Sequence, residues 1–258
     1  MITSGQNARI KLVRTLSGRA KERREASAFL AEGVRLVEEA LGAGWPFRFV
    51  LYSDELSPRG GELLKKLEDR KIDVEKVDGK LLESLSETET SQGILAVLAE
   101  REHELPMPNA PDFLLILDSI RDPGNLGTLL RSAEAAGVQG VLLSPETADP
   151  FSPKVLRAGM GAHFRLPIKA MSWAEIREGT KGLQVYLAEM EGPPCWAADF
   201  KTPLALIVGG EAEGATAEAR KLATRPVSIP MPGKAESLNA AVAGSILMFE
   251  VLRQRANA

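Results

Sequence analysis

The sequence contains very little cysteine or histidine: one cysteine, Cys195, and two histidines in 258 residues. A single cysteine cannot form an internal disulfide, and Cys195 has no cysteine or histidine neighbour at the spacing of a zinc site. We therefore expect neither a disulfide nor a bound metal. Such sparse cysteine usage is typical of a reducing compartment, and we expect the protein to be cytoplasmic.

Long apolar runs and a strong excess of charge are also missing. No apolar run approaches the roughly 20 residues of a membrane span, and the first residues, MITSGQNARIKLV, lack the apolar core of a signal peptide. We therefore expect a soluble protein with no membrane partner. The formal net charge is only -3. Any contact with nucleic acid must therefore come from a local cluster of basic residues.

One such cluster lies near the N-terminus. Between residues 9 and 24 a single acid, Glu22, accompanies seven basic residues, which are Arg9, Lys11, Arg14, Arg19, Lys21, Arg23 and Arg24. Apolar residues recur there at helical spacing, which predicts a helix with one packed face and one positive face. That face can be merely solvated, or it can bind phosphates, and the pattern leaves both open. If it binds RNA, we expect Arg9, Lys11 and Arg14 to take part.

Helical and strand patterns alternate over the first 100 residues. FRFVLYS, IDVEKV and QGILAVLAE are typical of strands, whereas ELLKKLEDRK and DGKLLESLSE are typical of helices. We therefore expect a small α/β domain over residues 1–100. The next stretch, REHELPMPNAPD at 101–112, has three prolines and no periodicity, which predicts a linker.

The second half, residues 113–258, is predicted to be a doubly wound α/β domain with a parallel sheet. FLLILDS is a continuous apolar run of the kind buried in such sheets, and the helical TLLRSAEAAG and the strand-like VQGVLLS follow it. Later strand patterns at LQVYLAE, PLALIVGG and RPVSIP extend the series. Ligands of open α/β sheets bind at the carboxyl ends of the strands, so the loops that leave these strands are where a site is expected.

Three of these loops carry unusual residues. DSIRDPGNLGTLLRSAEAAG contains Asn125 and Arg131, LIVGGEAEGA contains Gly209 and Glu211, and IPMPGKAESLNAAVAGSI runs from Ile229 into the last helix. Each loop alone has an ordinary interpretation. Asn125 or a serine of the third loop can cap a helix, and a glycine-rich loop without a GKS/T ending or dinucleotide spacing is weak evidence for a nucleotide.

Taken together, the three segments resemble the SpoU (TrmH-like) branch of the SPOUT RNA methyltransferases. NxGTLLRSAEAAG-like, GGExxG and IPMxGxxxSLNxxVAxxI signals occur in this order from about Phe113 to the C-terminus. AEGVRLVEEAL and QGILAVLAE resemble the L30e-like RNA-binding domain often fused N-terminally to that branch. The resemblance implies an α/β SPOUT fold with a deep trefoil knot. It also implies an enzyme that transfers methyl from S-adenosylmethionine to a ribose 2′-hydroxyl of RNA.

The resemblance also implies roles for particular residues. The site is expected to be organised by Asn125, Arg131, Glu211, Ser237 and Asn239, and the cofactor to lie against Gly209, Ile229, Met231 and Leu238. In this family Arg131 would meet the target nucleotide, in many relatives from the partner subunit of a homodimer. Because arginine stays protonated, we expect Arg131 to stabilise the developing alkoxide rather than to act as a base.

The sequence says less about the RNA substrate, the oligomeric state and the alternative functions. Relatives with the extra N-terminal domain favour 23S rRNA over tRNA as the RNA partner. The last helix carries Leu238, Val242, Ile246, Phe249 and Leu252 at helical spacing; the spacing alone favours a core face, and the resemblance favours a dimer seam. A non-catalytic RNA-binding or ribosome-assembly protein on the same fold is the alternative. A dehydrogenase is disfavoured because no GxGxxG opens the first βα unit.

Overall fold

The computed structural model describes residues 1–88, 91–101, 112–210 and 214–256, and the chain divides into two compact units. The first unit comprises Met1–Glu102 and Phe151–Phe164, and the second comprises His103–Pro150 and Arg165–Ala258. Among the described residues, no helix is both long enough and apolar enough to cross a bilayer. Most of the predicted linker, 102–111, lies outside the described residues.

The first unit is built on a four-stranded sheet in the order β1-β4-β2-β3. Strand β4 runs antiparallel to both β1 and β2, and β3 runs parallel to β2. The elements up to residue 99 are α1 (Ala8–Ser17), α2 (Ala20–Ala26), β1 (Ala28–Glu32), α3 (Val34–Gly42), β2 (Phe47–Tyr52), α4 (Pro58–Asp69), β3 (Val74–Lys76), α5 (Gly79–Glu83) and β4 (Ile94–Ala99). The predicted α/β character of this region is therefore confirmed.

Two segments that the sequence places about 60 residues apart meet at the start of α3. Gly33 has a φ of 95°, a conformation that favours glycine, and leads into the helix without a side-chain cap of its own. The side-chain Oε1 of Gln92 accepts a hydrogen bond from the backbone N–H of Val34 at 2.9 Å instead. The glycine of AEG and the glutamine of QG therefore form the N-terminal cap of α3 together.

Residues 151–164 join the first unit, although the sequence predicts them within the domain 113–258. This segment contains α7 (Pro153–Gly159) and a 3₁₀ turn, Ala162–Phe164. The rings of Phe151 and Phe164 pack against Phe29 and Trp45, with centroids 4.7 Å apart for Phe29–Phe151 and 5.3 Å for Trp45–Phe164. The reason is apolar burial, because these four side chains belong to one core cluster.

The second unit contains a fully parallel six-stranded sheet, which confirms the predicted doubly wound α/β fold. The strand order is β10-β8-β9-β5-β6-β7. Its elements are β5 (Phe113–Asp118), α6 (Pro123–Ala135), β6 (Gly140–Leu143), β7 (Ile168–Ala170), α8 (Trp173–Gly179), β8 (Gln184–Ala188), β9 (Leu204–Gly209), α9 (Ala217–Leu222), β10 (Arg225–Val227) and α10 (Ala240–Ala256).

Helices cover both faces of this sheet. Ile207 shares a core cluster with Ile176 of α8 and Ala219 of α9. The next strand residue, Val208, points to the opposite face and approaches Gly244 of α10. Strand order does not report how the chain is threaded, so the trefoil knot remains a prediction.

Candidate active site

A cavity of about 640 Å³ lies in the second unit at the carboxyl ends of β8, β9 and β10. This is the sheet edge at which the sequence predicts a site. The predicted cofactor residues all line it, and so do two of the predicted catalytic residues: Gly209, Ile229, Met231, Ser237, Leu238 and Asn239. The structure therefore brings the second and third unusual loops to one place.

The chemistry of the lining suits an adenosine-containing cofactor. Ile229, Met231 and Leu238 supply apolar surface, and the volume falls within the usual range for small-molecule sites. Gly209 is needed for the shape of this wall, because a Cβ there would stand 2.6 Å from the backbone nitrogen of Ala215. Within the described residues, no group of three or more His, Cys, Asp or Glu side chains is arranged to hold a metal ion.

Asn239 connects the cavity to the first unusual loop. Its Oδ1 accepts hydrogen bonds from the backbone N–H groups of Ala241 and Val242 at 2.9 and 3.2 Å, so it caps α10. Its Nδ2 donates to Oδ1 of Asn125 at 2.9 Å. One amide side chain therefore fixes the start of α10 and orients a residue 114 positions earlier in the chain.

The cap of α6 is Asp122, which corrects the ordinary interpretation of Asn125 as a helix cap. Oδ1 of Asp122 accepts a hydrogen bond from the backbone N–H of Asn125 at 2.8 Å. The Asn125 side chain instead meets Asn239. The serine cap considered for the third loop is wrong for the same reason, since Asn239 and not Ser237 occupies that position.

Arg131, a predicted catalytic residue, is not placed at the cavity of its own chain. Arg131 is exposed on α6, and it is missing from the described lining of the cavity. Six residues along a helix correspond to about 9 Å of rise and about 240° of rotation, so Arg131 projects from a different side of α6 than Asn125. Glu211 lies outside the described residues.

Sequence reasoning missed an ion pair at the rim of the cavity. Glu189, directly after β8, pairs with Arg220 of α9, and both residues line the cavity. The sequence feature that could have indicated this pair is Glu189 itself, an acidic residue at the carboxyl end of a parallel strand. Such residues commonly bind ribose hydroxyls in α/β sheets.

A buried carboxylate, also missed, bonds to Thr216 at the start of α9. Asp118 at the end of β5 is fully buried and accepts hydrogen bonds from Oγ of Ser144 at 3.1 Å and from the backbone N–H of Thr216 at 2.7 Å. It thereby connects the ends of β5 and β6 to the residue at which the loop after β9 enters α9. The sequence feature that could have indicated it is a charged residue at the end of an otherwise apolar strand.

The residues of the basic N-terminal cluster differ in whether they are paired, buried or exposed. Arg9 is paired with Asp73 and Glu75, and the hydrogen bond with Asp73 raises its pKa. Arg23 is buried and donates to the backbone carbonyls of Leu16 and Gly18 at 2.7 and 2.9 Å. The expectation of one positive face therefore does not hold for Arg23, which closes the turn between α1 and α2. Lys11 and Arg14 are exposed.

Residues 112–249 match the SpoU rRNA Methylase family, and residues 7–96 match the MRM3-like substrate binding domain. The chain is 35% identical over 253 residues to the 23S rRNA (guanosine(2553)-2′-O)-methyltransferase RlmP of Bacillus subtilis, covering 97% of this chain and 98% of that protein. The AdoMet-bound rRNA methyltransferase from Sinorhizobium meliloti has a TM-score of 0.86 at 33% identity, covering 98% and 97% of the two chains. AviRb from Streptomyces viridochromogenes, in complex with AdoMet, has a TM-score of 0.85 at 32% identity, covering 98% and 100%.

The chain is a methyltransferase that uses S-adenosylmethionine, and its second and third unusual loops wall a cavity at the carboxyl edge of a parallel sheet. The chain belongs to the SpoU rRNA Methylase family. It is an RNA 2′-O-ribose methyltransferase that carries a separate N-terminal substrate-binding domain.

Proposed function

We propose that this protein methylates one ribose 2′-hydroxyl of 23S rRNA in the cytoplasm. The observation that carries the proposal is the convergence of Gly209, Ile229, Ser237 and Asn239 on one cavity, with Asn125 tied to it through Asn239. The rRNA specificity of relatives that match along nearly the whole chain, such as RlmP, supports rRNA over tRNA.

The work assigned to the protein is positioning and charge stabilisation. When bound, S-adenosylmethionine supplies a methyl group that is already activated. Asn125 and Asn239 present amide groups that orient the target ribose, and Ser237 offers a hydroxyl on the same wall. Arg131 stabilises the developing alkoxide and binds the adjacent phosphate, while the proton leaves through that phosphate, Glu211 or water.

The N-terminal unit contributes RNA affinity. Lys11 and Arg14 are exposed on α1, where they can neutralise phosphates. Arg9 contributes less than its position in the sequence suggests, because Asp73 and Glu75 already neutralise it. This division of the cluster follows from the contacts and not from the charge count.

The active unit is proposed to be a homodimer with shared sites and no metal. Five apolar side chains on and just before α10 are exposed in the single chain: Leu238, Val242, Ile246, Phe249 and Leu252. An apolar stripe of this extent is typical of a subunit interface. Arg131, which does not line the cavity of its own chain, then reaches the cavity of the partner subunit.

Labelled methyl transfer to fractionated RNA tests the proposal. RNA from a strain that lacks the protein is separated into 23S rRNA, 16S rRNA and tRNA and incubated with enzyme and methyl-labelled S-adenosylmethionine. We expect label in 23S rRNA alone. Label confined to tRNA would contradict the substrate assignment. Cofactor binding without transfer to any fraction would favour the non-catalytic RNA-binding alternative.

A further inference from the structure

A second cavity of about 500 Å³ lies beside the cofactor cavity in the second unit. The two cavities share Gly210, Gly214 and Ala215, so these three residues form part of the wall of each. The other lining residues come from the ends of β5 and β6 and the starts of α8 and α9; they are Ser119, Arg121, Pro145, Glu146, Trp173, Thr216 and Ala217. The proposed reaction uses none of these seven.

The second cavity combines an indole with a guanidinium group. Trp173 is half-buried and packs against the core beneath α8, which holds its ring in place. It is the one aromatic side chain among the described lining residues. Aromatic rings and arginine planes are the surfaces on which proteins stack unpaired RNA bases.

Arg121 is available for a new partner. It pairs with Glu146 across the cavity mouth, but the two side chains are 61% and 66% exposed. Such exposed pairs contribute little to stability, and a phosphate can form a bidentate contact with a guanidinium group. A phosphate can therefore replace Glu146 at small cost.

The backbone around the cavity is shaped before any ligand binds. Ser119 and Glu146 have φ values of 57° and 67°, and they are the two non-glycine residues with positive φ in the described part of the second unit. Ser144 holds the first of them, since its Oγ accepts a hydrogen bond from the backbone N–H of Ser119 at 3.0 Å. Strained backbone of this kind persists where the surroundings fix it, which is common at binding sites.

We propose that the second cavity binds a nucleotide of the RNA substrate that flanks the methylated one, with its base stacked on Trp173 and its phosphate on Arg121. The methylated ribose has to enter the cofactor cavity, so a nucleotide on the other side of Gly210 and Gly214 is a neighbour of the target. This inference rests on the proposed rRNA substrate, and it adds a determinant of which sequence context the enzyme accepts.

Two variants that each remove one charge test the assignment, because they should change the KM for RNA in opposite directions. Arg121→Gln should raise the KM for an unmodified 23S rRNA transcript about tenfold, with kcat within about twofold of wild type, because a phosphate contact is lost. Glu146→Gln should lower that KM about twofold, because it frees Arg121 and removes a negative charge from the path of the phosphate. If both variants raise KM equally, the ion pair is structural and the proposal is overturned.

A second measurement does not depend on methyl transfer. The cofactor cavity is filled with S-adenosylhomocysteine, and the indole N–H signals of the three tryptophans are followed by NMR while adenosine 5′-monophosphate or ribose 5-phosphate is added. Trp173→Phe assigns the signal of interest. The exposed Trp196 serves as the matched control.

The Trp173 signal should shift with the nucleotide, not with the sugar phosphate, and the shift should weaken in Arg121→Gln. An unmoved Trp173 signal, or an equal shift at Trp196, overturns the second site even if 23S rRNA is methylated. A shift confined to Trp173 without methylation of 23S rRNA supports the second site while the proposed function fails.

Discussion

Asn239 shows how one residue serves both fold and site. Its Oδ1 caps α10 and its Nδ2 donates to Asn125, so one amide fixes the helix start and joins two predicted catalytic residues. The sequence indicated both residues through their motifs, but it could not show that they bond to each other, because this contact spans 114 positions. The Glu189–Arg220 pair escaped notice for the same reason: no local pattern connects its partners.

Replacing Asn239 by aspartate separates the two roles. Asn239→Asp keeps the oxygen that caps α10, so stability should stay near that of wild type, whereas Asn239→Ala should lose about 1 kcal/mol of unfolding free energy. Both variants lose the donor to Asn125, and the methyl-transfer rate should fall on the order of tenfold or more in each. Thermal unfolding and single-turnover transfer measure the two effects. An aspartate variant with wild-type rate would show that the contact with Asn125 is not used in catalysis.

Arg131 is expected to act through its guanidinium group and not through its charge alone. Arg131→Lys keeps the charge but loses the planar fork, so kcat should fall about 100-fold, the typical cost of removing one group that stabilises transition-state charge. The residue is exposed, and the change should leave stability unaltered. The pH dependence of kcat tests the role. A near-normal rate with an unchanged profile would count against a specific guanidinium contribution.

At the scale of the elements, the predicted strands mostly coincide with the observed ones because buried strands such as β5 and β9 are continuous apolar runs. Three features were missed. The predicted basic helix is interrupted at Gly18, where Glu22 accepts a hydrogen bond from the backbone N–H of Arg19 and α2 begins anew. Strand β7 is only three residues long, so its sequence carries no recognisable alternation. Residues 151–164 were predicted within the domain 113–258 but group with the first unit, because their aromatic partners lie more than 100 positions away in the sequence.

Helix α10 packs closely on α6 and β9 through Gly244. A Cβ at this position would stand 2.5 Å from Cδ2 of Leu129 and 3.2 Å from Cγ2 of Val208. Gly244→Ala should therefore destabilise the second unit by about 1–3 kcal/mol through overpacking. Gly179→Ala at the end of α8 is the control: a Cβ there meets nothing within 4 Å, and stability should be unchanged or slightly higher. Calorimetry measures both, and equal melting temperatures would refute the close packing.

At the scale of the whole molecule, the apolar stripe of α10 has two interpretations, a core face or a dimer interface, and its exposure favours the second. The spacing of Val242, Ile246 and Phe249 favoured a core face, yet the single chain leaves all three exposed. The helical spacing of apolar residues shows that one face of a helix is apolar. It does not show whether that face packs in the core or against another subunit. The exposure supports the proposed homodimer, and the position of Arg131 away from its own cavity supports shared sites.

Mixing two impaired variants tests the proposed shared site. In a dimer of Arg131→Ala with Asn239→Asp, one site should carry both lesions and the other neither, if Arg131 acts in the partner's site. Random exchange makes half of the dimers mixed, and half of their sites are intact, so activity should return to about a quarter of wild type. Subunit exchange is verified with differently tagged chains. Activity that stays at the level of the separate variants after exchange would place each site within one chain.

The most direct test of the central claim is the chemical position of the transferred methyl group. An unmodified 23S rRNA transcript is methylated with labelled S-adenosylmethionine and hydrolysed in alkali, which cleaves RNA only where a free 2′-hydroxyl can attack the neighbouring phosphate. Ribose 2′-O-methylation blocks that cleavage, so we expect label in an alkali-stable dinucleotide of one sequence. Label recovered in mononucleotides would show methylation of a base and would contradict ribose 2′-O-methylation.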